Sequence, residues 1–246
     1  MGKFVLTNCK LYVDNYDISG DANAGTLDIS TPALDTTTFN DAAVKSKICG
    51  LDDVKASISV LYDNTTACVP DDEIDTWKSG MAAKAVTICP TTGVAGEVAY
   101  CFKGLGASYS QGGSVGEVRK GTWAIEGGGG TGAIVRGYVT SNVIAGVTAG
   151  GVGTSINFGL LGAGQTLHSI VHVYYLVGGT LYVNTYSDDN EAMTSHTARI
   201  AGGAIVASGT EWLTLAGAVA TDTWWRCEYG YSGGTLAKFV HTLAIV

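Results

Sequence analysis

The 246-residue sequence predicts a mainly β protein built as two consecutive β units, residues 1–130 and 131–246. Three observations predict this. Short apolar runs alternate with polar residues at the period-two spacing of half-buried strands. Glycine is abundant, at 35 residues where an ordinary composition would place about 17, and it clusters between those runs as turn-forming residues do. Only one stretch carries apolar residues at helical spacing.

In the first unit the clearest strand runs from Val54 to Tyr62. Val54, Ala56, Ile58, Val60 and Tyr62 fall on one face; Lys55, Ser57, Ser59 and the mismatched Leu61 fall on the other. Such alternation gives one dry face and one wet face. Residues 85–89, 98–102 and 121–125 read as further strands. The single helix is expected over 71–83. Pro70 suits a helix start. Asp71, Asp72 and Glu73 complement the positive end of the dipole, and Ile74, Trp77 and Met81 form one apolar stripe. Trp77 is its expected core anchor, and Gly80 weakens its end.

The glycine-rich run 127–132 reads as a linker or long turn between the units. Charge changes there: ten Lys/Arg and sixteen Asp/Glu precede residue 131, but only four and six follow it. The second unit reads as seven strands, over 134–140, 154–160, 167–177, 180–187, 212–215, 223–231 and 236–245. Gly178-Gly179 and Ser232-Gly233-Gly234 read as hairpin turns between neighbouring strands. The pattern suggests a sandwich or jelly roll, with Trp212 and Trp225 as core anchors.

Composition excludes several functions. A net charge of −8 and few bases exclude a nucleic-acid reader, which needs a basic stripe. An apolar content of 46% excludes a disordered chain. Charged residues are only 15%, against about 25% in ordinary soluble domains, which points to a surface partly covered by further copies of the chain. Residues 137–187 carry no charge, yet Gly, Ser, Thr and Asn interrupt them throughout, and the longest apolar piece, 167–177, is far below the roughly 20 residues of a membrane helix. The first residues lack the apolar core of an export signal, and no two of the six cysteines form a C-x-x-C pair. Reduced, buried thiols are therefore expected, with no metal and no cofactor.

No catalytic constellation is visible. His168 and His172 lie four apart on a strand, about 13 Å at 3.3 Å per residue, too far to share one metal. The oxygen-rich run 187–191 lacks the spacing of a calcium loop and reads as a solvated hairpin tip. Trp225, Cys227, Tyr229 and Tyr231 share one strand face, expected to point into the core. An exposed aromatic row around Trp224 would instead suit a carbohydrate-binding adhesin.

An ordered series of segments resembles a known family. Tyr12–Gly20, Leu34–Phe39, Gly50-Leu51 and the strand at 54–62 with Asp63 are similar to the amino-terminal signature of tail tube (major tail) proteins of long-tailed, non-contractile bacteriophages. Gly96–Tyr100, Tyr109-Ser110 and Gly116–Val118 continue the pattern. So do Arg136-Gly137, Gly164–Leu167, His172-Val173, Ser187–Asp189, Glu211–Leu213 and Trp224–Arg226. Cys49 and Asn40 depart from it. The resemblance implies a tail-tube-like β-sandwich with one flanking helix, followed by a second β-sandwich or jelly-roll-like domain that serves as outer decoration or completes the ring. It implies a non-enzymatic virion protein, assembled in the host cytoplasm into stacked rings, usually hexameric, with no membrane partner. Its partners would be copies of itself, the tape measure protein, tail-end proteins and passing double-stranded DNA. The loop reaching the adjacent ring would include Phe39, Asn40, Asp41, Lys45, Lys47 and Ile48. Lys55, Ser57 and Ser59 would face the lumen. A capsid or tail decoration protein is the alternative within the same class.

Overall fold

A computed structural model describes residues 8–37, 45, 47–49, 52–61, 82–127 and 134–246. The protein is mainly β. Among these residues the strands are, in order, β1 (Lys10–Val13), β2 (Tyr16–Asp17), β3 (Ala22–Ser30), β4 (Ala33–Asp35), β5 (Lys47–Cys49), β6 (Asp53–Leu61), β7 (Lys84–Cys89), β8 (Val98–Gly112), β9 (Lys120–Gly127), β10 (Val135–Asn142), β11 (Gly151–Val152), β12 (Ile156–Asn157), β13 (Thr166–Asp188), β14 (Thr197–Ile200), β15 (Gly209–Ala216) and β16 (Trp224–Ile245). The expected helix at 71–83 lies outside the described residues except for Ala82 and Ala83, and so does most of the glycine run at 127–132.

The chain forms two compact units that are not consecutive in sequence. Unit 1 takes Met1–Gly20, Ala85–Cys101 and Val135–Val246; unit 2 takes Asp21–Lys84 and Phe102–Ile134. The last crossing between the units follows Ile134. The first two segments of unit 1 group with the C-terminal half. The reason is strand pairing: β10 pairs with both β8 and β16, and β7 and β1 continue the same sheet.

Two long strands organise unit 1. β13 spans 23 residues and β16 spans 22, and they pair antiparallel from Leu167↔Ile245 to Asp188↔Trp224. The glycine pairs read from sequence as turns are not turns. Both strands run through them, and Gly178 faces Gly234 across the ladder. Glycine is required there: a Cβ on Gly179 would come within 2.5 Å of the Gly234 nitrogen, and one on Gly234 within 2.0 Å of the Tyr231 hydroxyl. That hydroxyl donates to the carbonyls of Val177 and Gly178 at 3.1 and 3.0 Å. The ladder also slips at Val173/Tyr175 and at Val177/Gly178, and such bulges bend strands.

Each long strand therefore serves two layers. The first half of β13 and second half of β16 join β15 and β10; the other halves join β14, β11 and β12. The layers meet in a core where Val171 and Val173 pack with Leu181 and Val183, and Cys227 and Tyr231 with Ala237 and Phe239. Trp225, with Leu161, Leu167, Ile200, Val219 and Leu243, fills a second cluster. The opposite face of the first layer is also dry. Tyr12, Cys89, Ala99, Cys101, Val135, Val139, Ile170, Val240 and Ala244 form one buried cluster, although their strands lie as much as five places apart along the order β13-β16-β10-β8-β7-β1. This layer is rolled so that β1 returns to face β13.

Unit 2 is a four-stranded antiparallel sheet, in the order β3-β6-β9-β8, with the second part of β8 contributing. Beyond β3 and β6 the chain forms a short ribbon of β4 and β5.

Candidate assembly surface

The sheet of unit 2 is built on alternation. Val54, Ala56, Ile58 and Val60 of β6, with Trp123 and Ile125 of β9, are almost fully buried. Gly104 of β8 lies over this dry face, where a Cβ would meet Ile125 Cγ2 at 2.5 Å and the Phe102 ring at 3.1 Å. The other face carries Asp53, Lys55, Ser57 and Ser59. Cross-strand register adds Asp28, Thr26 and Ser30 from β3, and Glu126, Ala124 and Thr122 from β9.

This wet face is lightly charged, with the three acids Asp28, Asp53 and Glu126 around the one base Lys55. Lys55 Nζ lies 3.2 Å from Asp53 Oδ2 and 4.0 Å from Glu126 Oε1. The hydrogen bond Lys55 donates to Asp53 and that carboxylate's charge, aided by the charge of Glu126, raise the Lys55 ammonium above its ordinary value. These are exposed pairs, which stabilise little.

β3 is the most exposed long strand. Seven of its nine residues are exposed, including Ile29 at 50%. Its inner edge pairs with β6 from Ala22↔Val60 to Ser30↔Asp53. Among the described residues, no strand pairs with its outer edge. The ribbon beyond it is equally open: Leu34 and Ile48 sit directly opposite each other and are 49% and 56% exposed. A two-stranded ribbon is marginally stable alone. This one is braced at its base by a hydrogen bond between Thr31 and Asp52. Asp35 Oδ1 accepts from the amide of Thr37 at 2.9 Å and from its hydroxyl at 2.5 Å, and these bonds hold the carboxyl below the usual range.

The residues singled out from sequence fall as follows. Phe39, Asn40, Asp41 and Trp77 lie outside the described residues. Lys45 is exposed beside the ribbon, and Lys47 and Ile48 are exposed on β5. Lys55, Ser57 and Ser59 share the wet face of β6. Trp225 is fully buried in unit 1, its indole donating to the Gly159 carbonyl at 3.1 Å. Trp212 is half-buried on β15 and donates to His168 Nδ1 at 3.1 Å. Cys227 and Tyr231 point inward with Trp225, while Tyr229 packs edge-on against Phe239 at 5.0 Å. The described cysteines Cys9, Cys89, Cys101 and Cys227 are free thiols, and all but Cys9 are buried. The acidic run at 188–191 is a self-bonded turn, with Asp188 accepting from the amides of Asp189 and Ser195 at 2.7 and 2.9 Å. Sequence reading missed β3 and the ribbon. The polar–apolar alternation of Thr26-Leu27-Asp28-Ile29-Ser30 carried the signal, but two alternating apolar residues are too few to outweigh the flanking Gly25 and Gly20.

No family model matches the chain, and no curated protein matches it. Among solved structures, a chain of the native gene transfer agent virion is similar at 10% identity with a TM-score of 0.44, covering 54% of this chain and 97% of that one. A chain of the PVC sheath–tube complex, an extracellular contractile injection system in its extended state, gives 12% and 0.42, covering 56% and 93%. The SPP1 Dit protein, described as a hub adsorption apparatus, gives 10% and 0.34, covering 97% and 99%.

Proposed function

We propose that this chain is a structural virion protein that self-assembles into stacked rings forming a bacteriophage tail tube, through which DNA passes during ejection. The observation that carries this reading is the nine-residue strand β3, exposed along most of its length, with an open outer edge among the described residues and an exposed apolar ribbon at its end. An open edge of this length is a template for pairing with another chain. A ring closes that edge with the next copy and stops lateral growth.

In this reading β3 pairs with a neighbouring subunit, and the ribbon with Lys45, Lys47 and Ile48, continued by Phe39, Asn40 and Asp41, reaches the adjacent ring. The face with Lys55, Ser57 and Ser59 lines the bore. That face suits a conduit because each base bound to phosphate adds salt-dependent affinity. Lys55 is already engaged by two carboxylates, and the chain as a whole is net negative, so DNA would slide rather than stick. Rings of six copies, a virion location, contacts with tape measure and tail-end proteins and a non-enzymatic role follow from the resemblance. Unit 1 would decorate the tube.

Negative-stain electron microscopy of the purified full chain tests the reading. Rings or hollow tubes are expected, and Ile48→Lys should shorten or abolish the tubes. A strictly monomeric species across concentration and salt would overturn it.

A further inference from the structure

The rolled layer of unit 1 is closed by a histidine rather than by a strand ladder. His172, on β13, is fully buried. Its Nδ1 lies 2.7 Å from the carbonyl oxygen of Asp14, in the turn between β1 and β2. A carbonyl only accepts, so Nδ1 carries the hydrogen and Nε2 is bare. The bare Nε2 accepts from the Thr87 hydroxyl of β7 at 2.7 Å, and Thr87 Oγ1 lies 3.3 Å from Cys101 Sγ of β8. Thr210 of β15 sits 3.3 Å from Nδ1. The Tyr12 ring of β1 stacks on the imidazole at 6.0 Å and on Tyr174 of β13 at 5.8 Å. One neutral ring thus ties the β1–β2 hairpin, β7 and β15 to β13.

We propose that this seam is an acid-releasable latch: protonation of His172 frees the β1–β2 hairpin from β13 while the two-layer core of unit 1 stays folded. The titratable groups around the ring are Tyr12 and Asp14 from the hairpin, Cys101 from β8 and Tyr174 from β13 itself, with Asp17 of β2 acting on both tyrosines. Burial depresses His172 to about 4, and the Asp14 carbonyl and charge offset this only in part. Of the other two buried histidines, His168 accepts from the Trp212 indole at 3.1 Å, and His241 is held neutral, at about 3, by burial. His241 is bonded to Thr140 and Ser169 away from the seam. The sign follows from proton binding: an opened hairpin exposes a histidine of ordinary basicity, which binds a proton that the closed seam excludes. Closure is fully supported above about pH 6.5, and that support falls as pH drops toward 4. The inference is independent of the assembly reading.

Hydrogen exchange of the full chain from pH 7.5 to 4.5, corrected for intrinsic rates, tests it. The amides of Asp14 and Ile18, bonded to the carbonyls of Ala85 and Leu11, should lose protection about 10-fold per pH unit below 6.5. The amides pairing β13 with β14 should not follow that slope. His172→Gln, which keeps a neutral side chain, should flatten the slope. An unchanged slope in H172Q, or none in the wild type, would overturn the latch. Should H172Q fail to fold, imidazole 15N shifts of the wild type decide. A ring that stays neutral below pH 5.5 in the closed form supports the latch, and one that titrates near 6.5 with the hairpin still protected refutes it.

Discussion

Unit 1 and unit 2 solve the edge problem of β-sheets in opposite ways. Unit 1 rolls one layer until β1 meets β13, folds a second layer over it and fastens the seams with side chains. Its buried polar groups are tied together: Ser169 links His241 to Thr185, and Arg199 donates to both Ser187 and Asp222. Unit 2 keeps a four-stranded sheet whose β3 has an open outer edge among the described residues and whose ribbon shows a facing pair of exposed aliphatic side chains. A unit that closes on itself gains stability from its own interior. A unit that leaves an edge open offers it to a partner. On the proposed assembly, unit 1 carries the stability and unit 2 the association, and substitutions can separate the two.

The largest expected effect lies in the interior of unit 1. Trp225→Ala removes a wholly buried indole and its bond to Gly159, and should cost about 3–5 kcal/mol of folding stability in urea titration. A loss below about 1 kcal/mol would break the view of unit 1 as a self-sufficient core. Next comes Asp222, which accepts from Ser187 at 2.5 Å, Arg199 at 2.8 Å and Thr221 at 2.6 Å. Burial pushes its carboxyl up, but those donors and the Arg199 charge outweigh burial and hold it at about 2. Its contribution is therefore present above the ordinary aspartate range and is lost as pH falls from about 4 toward 2. Asp222→Asn should cost about 2 kcal/mol near neutrality, and stability curves of wild type and variant should converge at pH 2.

Substitutions in unit 2 should act on association instead. Leu34→Lys or Ile48→Lys replaces an exposed aliphatic side chain, so folding stability should change by less than about 0.5 kcal/mol. Sedimentation velocity should show assembly weakened at least about 10-fold, the equivalent of 1.4 kcal/mol per contact. The smallest effect belongs to Lys55→Ala. Its ion pairs are exposed, so neither melting temperature nor assembly should change measurably. A clear loss of assembly would move the wet face from the bore to an interface between copies.

The sequence made some of this architecture legible and hid the rest for physical reasons. The alternation at 54–61 announced its strand because every second residue is strongly apolar. The strands at 167–177, 180–187, 223–231 and 236–245 were readable from apolar and aromatic runs between glycines, but not their continuity. Gly-Gly normally marks a turn, and only the facing of Gly178 on Gly234 shows a paired bend instead. The return of β1 to β13 could not be read, because it joins residues such as Asp14 and His172 that are 158 apart. The spacing of His168 and His172 on one strand gave no hint that one of them closes a seam. β3 escaped notice because its alternating apolar residues, Leu27 and Ile29, are only two.

The most direct test of the division between the units is hydrogen exchange of the full chain at rising concentration, read together with its sedimentation. The account predicts that amides in β3 and the β4–β5 ribbon gain protection as larger species form, while those of β13 and β16 stay equally protected throughout. Assembly that leaves β3 and the ribbon exchanging freely, or a chain that never associates, would contradict it.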